Sequence, residues 1–224
     1  MRMARPKLGV FASGTKDGGG SGFENLVATT KNGVLDADIV TVVSNHEQGG
    51  VRERARRLGI HFIYFSGPFS AEHYQKIVAD SGAEWIALSG WMKHVAGLDP
   101  KKTFNIHPAL LSQLDGRFGG KGMYGRRLHE AVKAALDAGG VRESGFTMHF
   151  VTDEYDRGLA FAEVRTGNLP PWMTADEIGT RVNALEHEWQ PKLTNMVVND
   201  DIGWDGIDSK SLRVPEGYQF LPEA

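Results

Sequence analysis

The strongest constraint on the fold is a regular alternation of short apolar runs and segments with helical spacing. The apolar runs are rich in β-branched and aromatic residues, which is typical of buried strands. They lie at 8–13, 37–45, 60–65, 85–90 and 102–108. The segments between the first four runs predict helices at 23–33, 50–59 and 70–82. This order predicts an α/β fold with a doubly wound, mostly parallel, Rossmann-like sheet.

The second half of the chain predicts a helix at 125–140, two alternating strands at 145–152 and 159–166, and a long helix at 174–193. Thr174 and Glu177 form a capping-box pattern at the start of that last helix. No linker separates a second domain, and periodicity weakens toward the C-terminus. We therefore expect a single domain over 1–195 and a tail over 196–224, packed on the domain or extending from it.

The composition excludes several classes of protein. Hydrophobic residues make up 41% of the 224 positions and charged residues 24%, which is ordinary for a globular protein. The formal charge of −3 gives no reason to expect nucleic acid or an anionic membrane as a partner. The absence of cysteine rules out disulfides, thiolate metal sites and a thiol nucleophile. The first apolar run is too short for a signal peptide or a membrane span, so we expect a cytoplasmic protein.

The loop after the first predicted strand, SGTKDGGGSGFENL, is rich in glycine and leads into a helix. Glycines let backbone N–H groups approach a ligand closely, and a helix N-terminus carries partial positive charge, so the loop favours phosphate. Its spacing matches neither GxGxxG nor a P-loop, because Lys16 precedes the glycines. A phosphate site and a surface turn therefore both fit this loop.

The stretch FNIHP places Asn105 and His107 on one face of a strand, with Phe104 and Ile106 on the other. Pro108 ends the strand and leaves the amide and the imidazole at its tip. An imidazole titrates near neutral pH and an amide can donate to an oxyanion, so the pair suits catalysis. A structural histidine beside a turn-forming asparagine explains the motif at least as well.

The stretch VTDEYDRG runs from a strand into an acidic turn. A carboxylate here would hold His107 protonated and raise its pKa through the opposite charge. A solvated, Asp-rich turn is the competing interpretation. We interpret His149, on the strand before this turn, as a hydrogen-bonded sheet histidine. The histidines show no spacing typical of a metal site, so we expect no metal.

Taken in order, NIHPALL, HFVTDEYDRG and RVNALEH resemble the glycinamide ribonucleotide formyltransferases (phosphoribosylglycinamide formyltransferases) of purine synthesis. The resemblance runs from about Lys7 to Leu193. It implies the doubly wound α/β fold, and an enzyme that moves a formyl group from 10-formyltetrahydrofolate to the amine of glycinamide ribonucleotide.

The resemblance also implies roles for individual residues, with Asn105, His107 and Asp156 as the catalytic set. The residues that it implies for phosphate and acceptor binding are Gly20, Ser21, Gly22, Asn25, Asn183 and Glu186. Those that it implies for folate binding are Met92, Lys93, His94, Val95, Thr152, Asp153, Glu154 and Tyr155. Glu186 would hold the acceptor amine.

The implied reaction is direct attack of the neutral amine on the formyl carbon. Asn105 and protonated His107 would stabilise the oxyanion, while Asp156 keeps His107 charged. 10-Formyltetrahydrofolate is then a co-substrate, and neither a metal nor a covalent enzyme intermediate is required. We expect small-molecule substrates, no nucleic acid or membrane partner, and a monomer or homodimer.

The chain departs from the family pattern on the acceptor side. The phosphate loop is longer and separates Ser21 from Asn25, and a glycine-rich extension lies between Leu114 and Tyr124. Such an extension would act as a lid or reshape the acceptor pocket.

Other activities share the same Asn-His-Asp set. They belong to nucleotide-sugar formyltransferases, to formyltetrahydrofolate hydrolase, which would carry a further N-terminal domain, and to methionyl-tRNA formyltransferase, which would need a basic C-terminal domain. A phosphate- or nucleotide-binding module without catalysis is the non-enzyme alternative.

Overall fold

The computed structural model describes residues 4–222, whose strands form one seven-stranded sheet. Five strands pair in parallel, namely β1 (Lys7–Phe11), β2 (Asp38–Ser44), β3 (His61–Tyr64), β4 (Trp85–Ser89) and β5 (Thr103–His107). Strand β6 (Glu143–Phe150) pairs antiparallel with both β5 and β7 (Ala160–Asn168). The helices are α1 (Ser21–Lys31), α2 (Gly50–Leu58), α3 (Ala71–Ser81), α4 (Gly125–Asp137) and α5 (Ala175–Val198), with short 3-10 turns at Gln113–Gly116 and Ser209–Ser211.

The order of the strands is β3-β2-β1-β4-β5-β6-β7. The chain winds outward from β1 to β3, crosses back to place β4 on the other side of β1, and winds outward again. The order therefore reverses between β1 and β4, and ligands of such sheets bind at the carboxyl ends of the strands beside this point. The predicted doubly wound, mostly parallel α/β sheet is confirmed.

Apolar side chains cover both faces of the sheet. Alternation along β4 sends Ile86 and Leu88 into a cluster with Tyr74 of α3. Ala87, which points to the opposite face, belongs to a larger cluster that includes Val182 of α5. Helices on both faces thus bury the central strands and leave their carboxyl ends free to bind a ligand.

Helix α5 begins at the predicted capping box. The Thr174 N–H donates to the Glu177 carboxylate at 2.8 Å, and the Glu177 N–H donates to the Thr174 hydroxyl at 3.3 Å. The helix continues to Val198, beyond the predicted end at 193 and through Pro191. Buried Val197 and Val198 pack into the larger cluster, and this packing stabilises the additional turn.

The segment after α5 folds back over the domain. The Trp204 ring lies 5.6 Å from that of Phe150 on β6, and the Phe220 ring lies 4.9 Å from that of Trp189 on α5. Helix α5 crosses residue 195, and the division into a domain and a tail at this position stays a prediction. Among residues 4–222, no helix combines the length and the apolar composition that crossing a membrane requires.

Candidate active site

Three adjoining cavities lie at the carboxyl edge of the sheet, beside the reversal of strand order. The central cavity, about 460 Å³, lies between β5 and the 120–125 segment. The β6 cavity, about 50 Å³, lies between the 93–95 segment and the turn at 152–156. The α5 cavity, about 180 Å³, lies between the start of α1 and one side of α5.

Asn105 and His107 project from the end of β5 toward these cavities. Phe104 and Ile106 belong to the larger apolar cluster on the opposite face, as the alternation predicts. Asn105 lines both the central and the β6 cavity, and His107 lines the central one. The His107 side chain is nevertheless buried, with 4% of the residue exposed, so its imidazole is shielded from bulk water.

Asp156 comes to the same place from the turn between β6 and β7. Its backbone is left-handed, with φ 51°, and its carboxylate lies 3.7 Å from His107 Nδ1. Burial alone would raise the pKa of Asp156. A hydrogen bond from protonated His149, the positive charges that both histidines carry when protonated, and the Gly120 N–H outweigh burial and lower the pKa below its ordinary value. Asp156 is therefore ionised at neutral pH.

His107 has the opposite balance. Burial lowers its pKa, and the Asp156 carboxylate and the Phe118 carbonyl, which both favour the charged form, do not compensate. The Asp156 charge raises the pKa of His107, as expected, but the net shift is downward because desolvation of the imidazolium is the larger effect. His107 Nε2 donates to the Phe118 carbonyl at 2.7 Å, so neutral His107 keeps its lone pair on Nδ1, facing Asp156.

His149 on β6 is the residue of this cluster that carries no catalytic role in the sequence-based assignment. It pairs with Asn105 across the β5–β6 ladder. Its Nδ1 donates to the Phe150 carbonyl at 2.8 Å, and its Nε2 lies 3.1 Å from the Asn105 amide nitrogen, from which it accepts when the ring is neutral. When the ring is protonated, the same Nε2 donates to Asp156. The predicted hydrogen-bonded sheet histidine is confirmed, but His149 also orients Asn105 and lies 3.5 Å from Asp156.

The residues predicted for the acceptor converge on the α5 cavity. Gly20, Ser21 and Gly22 line it from the start of α1, and Asn183 and Glu186 line it from α5. Helix α1 begins at Ser21, two residues before the predicted start at 23, so its unpaired N–H groups point to this end of the site. Such an N-terminus suits phosphate.

Asn25, in contrast, is outside the residues that line the α5 cavity. Its amide donates to the His187 carbonyl at 2.7 Å, and the His187 ring lies 3.3 Å from the Ser21 hydroxyl. Asn25 therefore supports the wall of the cavity from behind. His187 itself lines the cavity and was missed, although it follows Glu186 directly in the sequence.

A buried polar pair closes the base of the same cavity. The Gln190 amide donates to the Ser89 hydroxyl at 3.1 Å, and both residues are buried. A Cβ at Gly22 would collide with the Ser89 hydroxyl, so glycine permits the close approach of α1 to β4. Nothing in the sequence around Ser89 or Gln190 distinguishes these residues from other buried polar residues.

Glu186 keeps part of its surface exposed, but protein atoms surround its carboxyl group closely. Burial raises its pKa to about 7, and a hydrogen bond from the Asn183 amide, at 3.2 Å, opposes the rise only partly. A carboxyl group that titrates near neutral pH is suited to exchange protons with an amine.

The residues predicted for folate lie mainly around the β6 cavity. Those that line it are Lys93, His94, Val95, Thr152, Glu154 and Tyr155. Met92 lines the central cavity instead, and Asp153 lines neither, because its carboxylate accepts from the Gly97 N–H at 2.9 Å. The Asp153 carbonyl joins the two walls by accepting from the His94 ring at 2.7 Å. The β6 cavity has room for only one or two water molecules, so a ring system entering it would also occupy the central cavity.

Comparison with known proteins identifies the class. Residues 7–194 match the family model described as "Formyl transferase", and this match spans most of the chain. The chain therefore belongs to the formyl transferase family.

The relatives within this family are more specific. The chloroplastic phosphoribosylglycinamide formyltransferase of Arabidopsis thaliana is 33% identical, over 91% of this chain and 70% of its own length. The phosphoribosylglycinamide formyltransferase of Bacillus subtilis is 30% identical, over 86% of this chain and 94% of its own. The resemblance seen in the sequence motifs is confirmed.

A solved structure shows the same fold. The crystal structure of glycinamide ribonucleotide transformylase 1 from Symbiobacterium toebii superposes with a TM-score of 0.78 over 96% of both chains, at 21% identity. Among residues 4–222, no group of His, Asp and Glu side chains has an arrangement that could hold a metal ion.

Proposed function

We propose that this protein is a phosphoribosylglycinamide formyltransferase of purine biosynthesis. It transfers the formyl group of 10-formyltetrahydrofolate, its co-substrate, to the amine of glycinamide ribonucleotide. The sequence relatives carry this name, and the arrangement of the three cavities supports the same reaction.

The observation that carries the proposal is that the cavities share walls. The β6 and central cavities share Trp91, Asn105, Tyr155 and Asp156. The central and α5 cavities share Gly90, Ile106 and Pro108. A folate bound at one end and a phosphorylated amine bound at the other would therefore meet at Asn105, His107 and Asp156.

The reaction begins when the acceptor amine attacks the formyl carbon and the carbonyl oxygen becomes an oxyanion. Asn105 donates one amide hydrogen to His149, which leaves its second N–H for this oxyanion. A preorganised donor of this kind is worth about 3 kcal/mol of transition-state stabilisation.

The attacking amine must then lose a proton. Neutral His107 has a free lone pair on Nδ1 and accepts this proton directly or through one water. The resulting imidazolium is stabilised by the Asp156 carboxylate and the Phe118 carbonyl, which both favour the charged form. It returns the proton to the folate nitrogen as the C–N bond breaks, so the histidine ends the cycle neutral.

The acceptor is held at both of its ends. The N–H groups at Ser21 and Gly22 bind the phosphate, and the Glu186 carboxylate accepts a hydrogen bond from the amine and keeps its lone pair directed at the formyl carbon. Proximity of this kind supplies several kcal/mol of the barrier reduction.

A direct assay tests the proposal. Purified protein is mixed with 10-formyltetrahydrofolate, and release of tetrahydrofolate is followed with and without glycinamide ribonucleotide. We expect release that depends on the acceptor and equals the formylated product, and its loss in His107→Ala. Release without an acceptor would indicate a hydrolase, and release only with an amino sugar nucleotide would indicate a different acceptor. Each of these outcomes, like no release at all, would overturn the proposed function.

The cellular location and the assembly state complete the proposal. A cytoplasmic monomer or homodimer stays the prediction, while the name of the Arabidopsis relative places that protein in the chloroplast.

A further inference from the structure

The glycine-rich extension at 114–124 touches two of the three catalytic residues through its backbone. The Phe118 carbonyl accepts from His107 Nε2 at 2.7 Å. Two residues on, the Gly120 N–H donates to Asp156 Oδ2 at 2.8 Å. A single short segment, 118–120, thus connects a histidine on β5 with a carboxylate in the β6–β7 turn.

These contacts determine which atoms of the pair face each other. A carbonyl oxygen only accepts, so the Phe118 contact requires the proton of neutral His107 on Nε2. The lone pair on Nδ1 then faces the Asp156 carboxylate, 3.7 Å away. The Gly120 N–H holds that same carboxylate oxygen in place.

The segment is anchored independently of these contacts. The Phe118 side chain is 0% exposed and packs in the larger apolar cluster. Backbone hydrogen bonds from Arg117 to Leu114 and from Gly119 to Gly116, at 3.1 and 3.0 Å, turn the chain just before it. The Phe118 carbonyl and the Gly120 N–H are therefore held by packing and turns that do not involve the catalytic side chains.

Gly119 lies between the two contacts and has no room for a side chain. An added Cβ would lie 2.6 Å from Leu111 Cδ2 and 3.2 Å from the Cβ of Asp156. The end of the leucine can rotate away, but the Asp156 Cβ belongs to a left-handed turn with φ 51°. A substitution here therefore moves the carboxylate relative to His107.

We propose that residues 118–120 form a positioning element, which fixes the Nε2–H tautomer of His107 and the Nδ1-facing position of Asp156. The inference rests on the proposed function and extends it. The middle of the extension that departs from the family pattern supports the catalytic pair, and the part of the extension that lines the central cavity is residues 120–124.

The pair has other titratable neighbours that the test must hold constant. They are His149 on β6, His129 on α4 and Tyr155 beside Asp156. A substitution at Gly119 leaves all of them unchanged in chemistry.

The test compares Gly119→Ala with Gly140→Ala. At Gly140 an added Cβ meets only ordinary contacts, at 3.5 Å or more, and φ is not in the left-handed range. Gly140→Ala therefore controls for the effect of a glycine-to-alanine substitution away from the catalytic pair. Histidine ¹⁵N and aspartate ¹³C signals are recorded for the substrate-free protein, with His107 identified by the signal that disappears in His107→Ala. In the wild-type and in Gly140→Ala we expect His107 as the Nε2–H tautomer.

In Gly119→Ala we expect the pKa of Asp156 to rise and that of His107 to fall further, because the two groups separate. We also expect kcat to fall about 10- to 100-fold, with KM for the acceptor within about twofold, since only the reacting geometry changes. Phe118→Leu, which keeps the apolar anchor, should stay near wild-type, whereas Phe118→Ala should change in the same direction as Gly119→Ala.

The inference is overturned if wild-type His107 carries its proton on Nδ1, or if folded Gly119→Ala and Phe118→Ala both keep wild-type pKa values and kcat. The tautomer and the pKa values are measured without substrate. An inactive wild-type protein would therefore overturn the proposed function alone, and the NMR signals would still decide the inference.

Discussion

Asp156 and Glu186 are the same functional group in opposite environments. The Asp156 carboxylate accepts a hydrogen bond from the Gly120 N–H and lies beside two histidines, and its pKa is lowered. Glu186 has one amide partner in a crowded pocket, and burial raises its pKa to about 7. Both residues line cavities at the same edge of the sheet.

The difference shows how one edge of the sheet carries both a carboxylate that stays ionised and a carboxyl group that titrates near neutral pH. A carboxylate with charged and hydrogen-bonding partners stays ionised and stabilises positive charge nearby. A buried carboxyl group with a single amide partner titrates near neutral pH, where its ionised form can accept a hydrogen bond from an amine substrate. The partners of the group, and not its chemical type, separate the two roles.

The largest expected effect comes from removing the ionised member. Asp156→Asn should lower kcat by about 10²- to 10⁴-fold, because the imidazolium of His107 loses the charge that stabilises it. Asparagine tolerates the left-handed backbone at φ 51°, so the turn should be preserved. Steady-state kinetics at saturating substrates measure the change. A variant with more than a tenth of wild-type kcat would contradict the assigned role.

A smaller effect is expected at the other carboxyl group. Glu186→Gln should lower kcat/KM for the acceptor by about 10- to 100-fold at pH 8, the cost of one charged hydrogen bond. In the wild-type, kcat/KM should rise as pH increases through about 7, because the ionised form accepts from the amine. The variant should lack this rise. A pH profile that keeps the same limb in Glu186→Gln would assign the limb to another group.

The smallest effects are on stability, and they have opposite signs. The lowered pKa of Asp156 contributes stability above its unfolded value, so Asp156→Asn should lower the free energy of unfolding at both pH 8 and pH 5. The raised pKa of Glu186 destabilises the folded state as pH rises from 4.5 to about 7. Glu186→Gln should therefore raise the free energy of unfolding at pH 8 by about 1 kcal/mol, a value reduced for its partial exposure, and by much less at pH 5.

Urea denaturation of the three proteins at the two pH values measures these differences. Shifts of the same sign in both variants would mean that the contrast between the two carboxyl groups does not exist in solution.

Much of the fold was predictable because strand and helix periodicities are local. The alternation in FNIHP was enough to place Asn105 and His107 on one face. The end of α5 could not be predicted from local patterns, because Val197 and Val198 extend the helix by packing against distant residues.

Sequence motifs indicated residues that the fold brings together at the carboxyl edge of the sheet, but not the environment that surrounds them. Desolvation lowers the pKa of His107, and sequence spacing carries no information on desolvation. The role of His149 depends on the pairing of two strands that are distant in sequence. The separation of Asn25 from the cavity depends on how α1 packs on α5, where its amide meets the His187 carbonyl.

The direct pairing of Asn105 with His149 across β5 and β6 has a consequence for how the chain tolerates insertions. A slip of one residue in this ladder would turn one of the two side chains to the opposite face and dismantle the site. The connection at 108–142 is free of that restriction, provided that it returns β6 to the same register. Insertions in this connection are therefore compatible with the site where they keep both the ladder register and the contacts of residues 118–120 with His107 and Asp156.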